Sequence, residues 1–476
     1  MKIAHLSAEV APWCKTGGLG DVLGALPQAQ AKAGAEVAVF LPLHREALRA
    51  AHRRGLTLTA TDVHVQVRIA GQEIGGRFLA HRDPDHPRLV TYLLDCPRFF
   101  DREGLYTDPK TGSDYSDNGL RYPFFCQAVL QAVRKLMGGV PDVVHAHDWQ
   151  TAITPIYLRH APVSTVLTIH NLAYQGVFPK EILPAVGLDW SVFTPERAEY
   201  HDHLALLKGG IADADAVTTV SPTYAREICT TEYGHGLHGF IRAHARRLRG
   251  ILNGIDETVW TPTNNPRLAA SYSADALDGK WACRQALLRE FDLSSPAGEP
   301  VLGAIARFTG QKGIDLIADI VPLLDRLKAT LVVLGTGSKA LEDRMRRLAR
   351  RHPRLAVRID FDIGLAHRIT AGSDIYLMPS RFEPCGLNQM YSMAYGTVPV
   401  VHSTGGLRDT VTDQTGFRFD NADAGGLAWA LEQAISRYRF QPGAWRDTMV
   451  AGMQTDFSWS APARQYIALY RELGAR

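Results

Sequence analysis

"KTGGLGDVLGALP" runs from Lys15 to Pro27 and sets a lysine directly before a glycine pair, after which an apolar run begins. The preceding "MKIAHLSAEV" reads as a buried strand from about Lys2 to Ser7. Asp21 to Ala33 reads as a helix with Val22, Leu23 and Leu26 on one face. Strand, glycine loop and helix in this order open a parallel α/β sheet. Two familiar phosphate loops fail on spacing. A Walker A loop carries its lysine after the glycines, whereas Lys15 precedes Gly17 and Gly18. A dinucleotide fingerprint starting at Gly18 and Gly20 needs its third glycine at Leu23, and glycine arrives one residue later, at Gly24. A glycine loop at a helix start still presents N–H groups to an anion. From spacing alone the segment is either an anion-binding loop or a tight turn with a solvated lysine.

The chain has 476 residues, more than one core usually serves, so two or three domains are expected. It is 46% hydrophobic and 21% charged, an ordinary globular balance. A net charge of +3 is too mild for a nucleic-acid binder, and the basic runs "RAHARRLRG" (242–250) and "RMRRLARRHPR" (344–354) read as solvated helix faces. The six cysteines show no C-x-x-C and no dense framework, which suits reduced thiols and a cytoplasmic setting. Glu9 and Pro12 interrupt any signal-peptide core, and no stretch approaches a membrane span, so no membrane partner is expected.

Short apolar strands alternate with helical patterns. In the first half the strands are Ile3 to Ser7, Glu36 to Leu41, Leu89 to Leu94, Val143 to His145, Ser164 to Ile169 and Ala216 to Val220. A second series, "VLGAIARF", "ATLVVLGTG", "LAVRID", "DIYLMPS" and "TVPVVH", follows "ILNGIDETVWTP". The expected division is therefore 1–250, 251–455 and a C-terminal helix, 456–476, that docks back on the first domain through Tyr466, Leu469 and Tyr470, with Ser460 as N-cap. Both main domains are expected to be doubly wound parallel sheets facing each other across a cleft, with ligand residues just past the strand ends.

Several constellations lie at such positions. "ARFTGQKGIDL" puts Arg307 and Lys312 around a glycine turn, as phosphate ligands or as a plain surface loop. In "MPSRFEPCGLNQM", Glu383 and Asn388 stand at a helix entrance, where a carboxylate either stabilises the first turn or binds sugar hydroxyls. "VVHAHDW" lacks metallohydrolase spacing; a strand would put His145 and His147 on one face and Asp148 on the other, and no metal is assigned. His170 in "TIHNLAYQG" is either a ligand residue or a satisfied core histidine.

Taken in order, "KTGGLGDV", "HAHDW", "TIHNLAYQG", "NGID", "ARFTGQKG", "PSRFEPCGLNQM", "STGGLRDTV" and "DFSW" resemble the bacterial glycogen synthase and starch synthase family over essentially the whole chain. The resemblance implies a GT-B glycosyltransferase with two Rossmann-like domains, acceptor side first and nucleotide-sugar side second. It would transfer glucose from ADP-glucose to the non-reducing 4-hydroxyl of an α-1,4-glucan such as glycogen, with retention of configuration. It also implies roles. Lys15 and the backbone at Gly17 and Gly18 would meet the donor pyrophosphate, and Arg307 and Lys312 would neutralise the leaving diphosphate. Glu383 would bind the transferred glucose with His170 beside it, Asp21 and Asn253 would line the site, and Asn388 would support the phosphates. Phe361, just past "LAVRID", offers an aromatic face for a purine. With these cations fixed in the protein, neither a metal nor another cofactor is called for.

The chain departs from relatives at three places: Asn388 is Thr in some, Ser338 stands where many have Asp, and Tyr391 stands where many retaining GT-B enzymes have a second Glu. The last weakens a two-carboxylate mechanism without opposing activity, since the glycogen synthase branch commonly lacks that Glu. Two alternatives share the architecture: a catalytically silent glucan-binding module, and a pyridoxal-phosphate α-glucan phosphorylase, which needs a Schiff-base lysine and a much longer chain.

Overall fold

The computed structural model describes residues 1–475. The chain forms two compact units, Met1–Gly254 with the segment from Trp459 onward, and Ile255–Ser458. Among the described residues no helix is long and apolar enough to cross a membrane.

The first unit is built on strands β1 (Lys2–Leu6), β2 (Glu36–Pro42), β3 (Thr59–Ile69), β4 (Gln72–Arg82), β5 (Leu89–Asp95), β6 (Val143–His147) and β7 (Ser164–Ile169). A small antiparallel sheet of β8 (Val177–Pro179), β9 (Glu199–Tyr200) and β10 (His203–Ala205) follows, and β11 (Ala216–Thr219) and β12 (Arg249–Gly250) complete the main sheet. Its order is β12-β11-β7-β6-β1-β2-β5-β4-β3. From β12 to β5 all pairs are parallel, and such strands, buried on both faces, read as continuous apolar runs.

Two long strands lie between β2 and β5 that the expected series omits. β3 and β4 form an antiparallel hairpin on β5, joined at Ala70 and Gly71, whose φ of 49° and 76° supply the left-handed turn. Val63, Val65, Val67 and Ile69 are buried while their neighbours are exposed or half-buried, a period-two pattern visible in "DVHVQVRI".

The first helix spans Gly18–Lys32, starting three residues before the expected Asp21. Gly18 and Gly20 therefore belong to its first turn. A Cβ on Gly20 would lie 2.4 Å from the Lys15 Cβ, and one on Gly24 would lie 2.8 Å from the Ala11 carbonyl oxygen. These glycines let the 11–15 segment cross directly over the helix, a packing role rather than a phosphate role. The C-terminal helix Ser460–Glu472 belongs to the same unit. Tyr466, Leu469 and Tyr470 are buried in one core cluster with Val22, Leu23 and Leu26, and Arg249 pairs with Glu472 at 2.6 Å. Ser460 is its first helical residue, and Trp459, whose side chain makes no cap hydrogen bond, holds the cap position.

The second unit holds an all-parallel sheet, β13 (Val301–Ile305), β14 (Thr330–Gly335), β15 (Leu355–Ile359), β16 (Ile375–Met378), β17 (Val398–His402) and β18 (Phe417–Phe419). The order β15-β14-β13-β16-β17-β18 reverses direction between β13 and β16, the crevice where doubly wound sheets bind ligands. β18, only three residues long, is too short to leave a periodic signal.

The helix start yields a test. Gly17 has extended φ (−162°) and nothing within 4 Å of an added Cβ, so Gly17→Ala should leave stability unchanged. Gly20→Ala gains about 0.5–1 kcal/mol of helix preference, but the overlap with Lys15 should cost about 1–3 kcal/mol. Denaturant titration should place Gly20→Ala below both wild type and Gly17→Ala; the reverse order would refute this packing.

Candidate active site

In the first unit the candidate residues follow the carboxyl ends of β1, β6, β7 and β12. The loop after β1 is organised by Glu9, a buried carboxylate that the motif reading passed over. It accepts from the N–H groups of Thr16 (2.5 Å) and Gly17 (3.2 Å), the Thr16 hydroxyl (2.7 Å) and the Tyr106 hydroxyl (2.6 Å). The N–H of Gly17 is therefore turned inward to Glu9, so the expected outward-facing Gly17 amide is not available. What remains at this helix start are the first-turn N–H groups of Gly18, Leu19 and Gly20 and the Lys15 ammonium, which pairs with Asp21 at 2.7 Å. Asn253 is buried, and its Oδ1 has no partner among the described residues.

Past β6, Asp148 leaves the strand: it has φ 55° and opens the short helix Asp148–Thr151. Its Oδ1 accepts from the His170 N–H at 2.7 Å and the Asn171 N–H at 3.4 Å, tying the β6 end to the β7 end. Burial pushes its carboxyl up to about 7. The histidines pack against one another. His5 Nδ1 lies 3.0 Å from His147 Nε2, and His147 Nδ1 lies 3.0 Å from His170 Nε2. His145 meets the Tyr470 hydroxyl (2.7 Å) and Thr168 Oγ1 (2.6 Å). His5, His145 and His147 are close enough to hold one ion, yet protein groups take all six of their ring nitrogens, an arrangement that does not fit a metal site.

In the second unit the loops after β13, β16 and β17 converge. Glu383 is 5% exposed; its Oε2 accepts from Lys312 Nζ at 2.5 Å and from the Ser380 hydroxyl at 2.9 Å. Lys312, expected as a phosphate ligand, is thus already engaged by Glu383. Arg307 is exposed and meets no acidic side chain among the described residues. Asn388 donates to the Ile305 carbonyl at 2.8 Å, so it braces the end of β13 two residues before Arg307 instead of aiming that N–H at a ligand. Arg381 binds Asp315 through two hydrogen bonds, 2.9 and 2.6 Å, and the Gly310 carbonyl at 2.7 Å, stitching the β16 loop to the β13 loop. The glycine pair in "STGGL" serves Glu383 directly. The N–H of Gly406 donates to the Glu383 carbonyl at 3.0 Å, and Gly405 has φ 44° with that same oxygen 1.9 Å from where a Cβ would stand. Phe361, past β15, is 72% exposed.

Buried neutral histidines set an acid limit. Burial lowers His5 to about 4, His44 and His170 to about 3, and His145 and His147 well below their ordinary value of 6.5. The unfolded chain therefore binds more protons than the folded one below about pH 6.5, so stability present above that pH is lost as pH falls. Asp148 acts oppositely, because its raised folded pKa favours the folded state as pH drops from about 7, but it is one group against five. The thermal midpoint of the first unit should fall steadily from about pH 6.5 to about pH 4; a flat or rising midpoint would contradict the neutral cluster.

Residues 2–243 match the family model for the starch synthase catalytic domain, and residues 299–437 match that for glycosyl transferases group 1. The chain is 47% identical to glycogen synthase of Anaeromyxobacter dehalogenans (strain 2CP-1 / ATCC BAA-258), covering 99% of both chains. It is 43% identical to glycogen synthase of Myxococcus xanthus (strain DK1622), covering 100% of each. Its fold matches the catalytic domain of starch synthase IV from Arabidopsis thaliana, a structure bound to ADP and acarbose, with a TM-score of 0.89 and 32% identity over 100% of this chain and 99% of that one. With two parallel α/β units, the ordered motifs at their strand ends and full-length likeness to these enzymes, the chain belongs to the glycogen synthase and starch synthase family of GT-B glycosyltransferases.

Proposed function

We propose that Glu383, Lys312, Arg307 and His170 carry out glucosyl transfer, with Lys15, Gly18, Asp21, Asn253, Phe361 and Asn388 holding or supporting the substrates. The reaction is that of the family: glucose passes from ADP-glucose to the non-reducing 4-hydroxyl of an α-1,4-glucan, with retention, in glycogen synthesis. The starch synthase IV structure with ADP and acarbose supports a nucleotide-sugar donor and a glucan acceptor for this chain as well. A cytoplasmic location accords with these soluble substrates.

One observation carries the residue assignment: a buried carboxylate, Glu383, held by Ser380 and by Lys312, which follows β13 on the same loop as the exposed Arg307. The glycosidic bond breaks as negative charge flows onto the diphosphate and positive charge builds on the anomeric carbon. Arg307 and Lys312 face the first charge. Glu383, oriented before substrate arrives, faces the second. Lys312 serves both by holding the carboxylate in place and lying within reach of the leaving phosphate. Lys15 and the Gly18 N–H at a helix start are suited to bind phosphate, and Phe361 offers its exposed ring to the adenine.

Nucleotide release in the presence of glycogen tests the reading. ADP-glucose should be turned over faster than UDP-glucose, with release strictly dependent on glucan. Transfer should also persist after exhaustive chelation, since protein cations are assigned to the diphosphate. Equal or faster turnover of UDP-glucose would overturn the donor assignment. Activity abolished by chelation and restored by one metal would overturn the cation assignment.

A further inference from the structure

Beneath His170 runs a hydrogen-bonded chain that the catalytic reading does not use. Gln30, on the buried face of the helix Gly18–Lys32, places Oε1 2.7 Å from His5 Nε2 and donates from Nε2 to the Tyr470 hydroxyl at 3.2 Å. Both neighbours can donate or accept, so the polarity of the whole chain follows from this placement of the amide oxygen toward His5. An amide oxygen only accepts, hence His5 carries its proton on Nε2. Burial keeps these rings neutral, and a neutral imidazole has one N–H and one lone pair. His5 Nδ1 therefore accepts from His147 Nε2, and His147 Nδ1 accepts from His170 Nε2, each at 3.0 Å. The last ring is left with a lone pair on Nδ1, which has no protein partner among the described residues, on a half-buried side chain. The second arm runs consistently: Tyr470 donates to His145, His145 to Thr168 at 2.6 Å, and Thr168 to Thr218 at 2.6 Å.

We propose that Gln30 is a positioning residue that fixes, through His5 and His147, the tautomer of His170, so that His170 Nδ1 accepts a hydrogen bond from a hydroxyl of the transferred sugar. This rests on the assignment of His170 to glucosyl transfer under the proposed function. Were the Gln30 amide reversed, every proton in the chain would shift to the other nitrogen and His170 Nδ1 would become a donor. The buried chain thus sets the polarity of a ring that meets substrate from a glutamine three rings away.

The tautomers are read directly on the full chain labelled with 15N-histidine, by long-range 1H–15N correlation, with signals assigned through single His→Asn substitutions at positions 5, 147 and 170. All three rings should be neutral with the proton on Nε2. Gln30→Met, similar in size but without an acceptor, should move the His5 and His170 shifts toward tautomer-averaged values. Gln30→Glu, which keeps an acceptor facing His5, should preserve them. Steady-state kinetics with ADP-glucose and glycogen should show kcat lower by about 3- to 10-fold in Gln30→Met, as for loss of one neutral hydrogen bond. The donor KM should stay nearly unchanged, and Gln30→Glu should retain more activity than Gln30→Met. A mere packing role predicts the opposite order, since Met fills an apolar gap better than a buried acid. If Gln30→Met does not fold, Tyr470→Phe, which frees the far side of the amide, should broaden the same signals. A proton on Nδ1 of His5 or His170 in the native protein, or Gln30→Met outperforming Gln30→Glu, overturns the proposal. The spectra need no turnover, so a failed activity assay with the expected tautomers would count against the proposed function and leave the relay standing.

Discussion

A carboxylate buried at the end of β16 must be matched by positive charge, and much of the second unit's loop structure follows from that demand. Glu383 is shielded from water, and Lys312 and Ser380 meet the same oxygen. Removing one member of such a pair strands a buried charge at a cost of about 3–5 kcal/mol. The neighbouring loops hold the pair by backbone contact. Gly405 and Gly406 come so close to the Glu383 and Cys385 carbonyls that no side chain fits, and Gly313, at φ 65°, lies equally close to the Pro379 carbonyl. The carboxylate is thereby fixed before any donor binds, which is how a site stabilises charge that appears only in the transition state.

The first unit solves a different problem, a polar interior under a parallel sheet. His5, His145, Gln30 and Tyr470 are all fully buried, and they are tolerable there because each polar group has a partner. Tyr470 comes from the last helix of the chain, so that helix completes the support beneath His170 as well as the apolar core. Asp148 adds a second brace by accepting from the His170 backbone.

How far the sequence could be read follows from the range of the interactions. Buried parallel strands are local, continuous apolar runs, and Ser164–Ile169 is the strand the residues predict. The β3–β4 hairpin leaves a different mark, period-two alternation over 63–69, which continuous apolar runs do not show. Chemistry-bearing residues stood out by type at strand ends: Lys15, His170, Arg307, Lys312 and Glu383. Their partners did not. Lys312 finds Glu383 across 71 residues, Glu9 finds Tyr106 across 97, and Tyr470 finds His145 across 325. No local pattern encodes such pairs, so Lys312 looked like a free phosphate ligand and Gly17 like a free amide. The ordered motif set identified the family without revealing these contacts.

The central claim is that Lys312 and Glu383 act as one unit in glucosyl transfer. A double-mutant cycle on kcat/KM with ADP-glucose and glycogen, using Lys312→Met, Glu383→Gln and the double variant, tests it most directly, with thermal unfolding confirming that each variant is folded. The account predicts that each single substitution removes most of the activity through kcat and that the double variant loses little more than the worse single, an interaction energy beyond about 1 kcal/mol. Effects that simply multiply, or a Glu383→Gln variant with near-normal kcat, would contradict it.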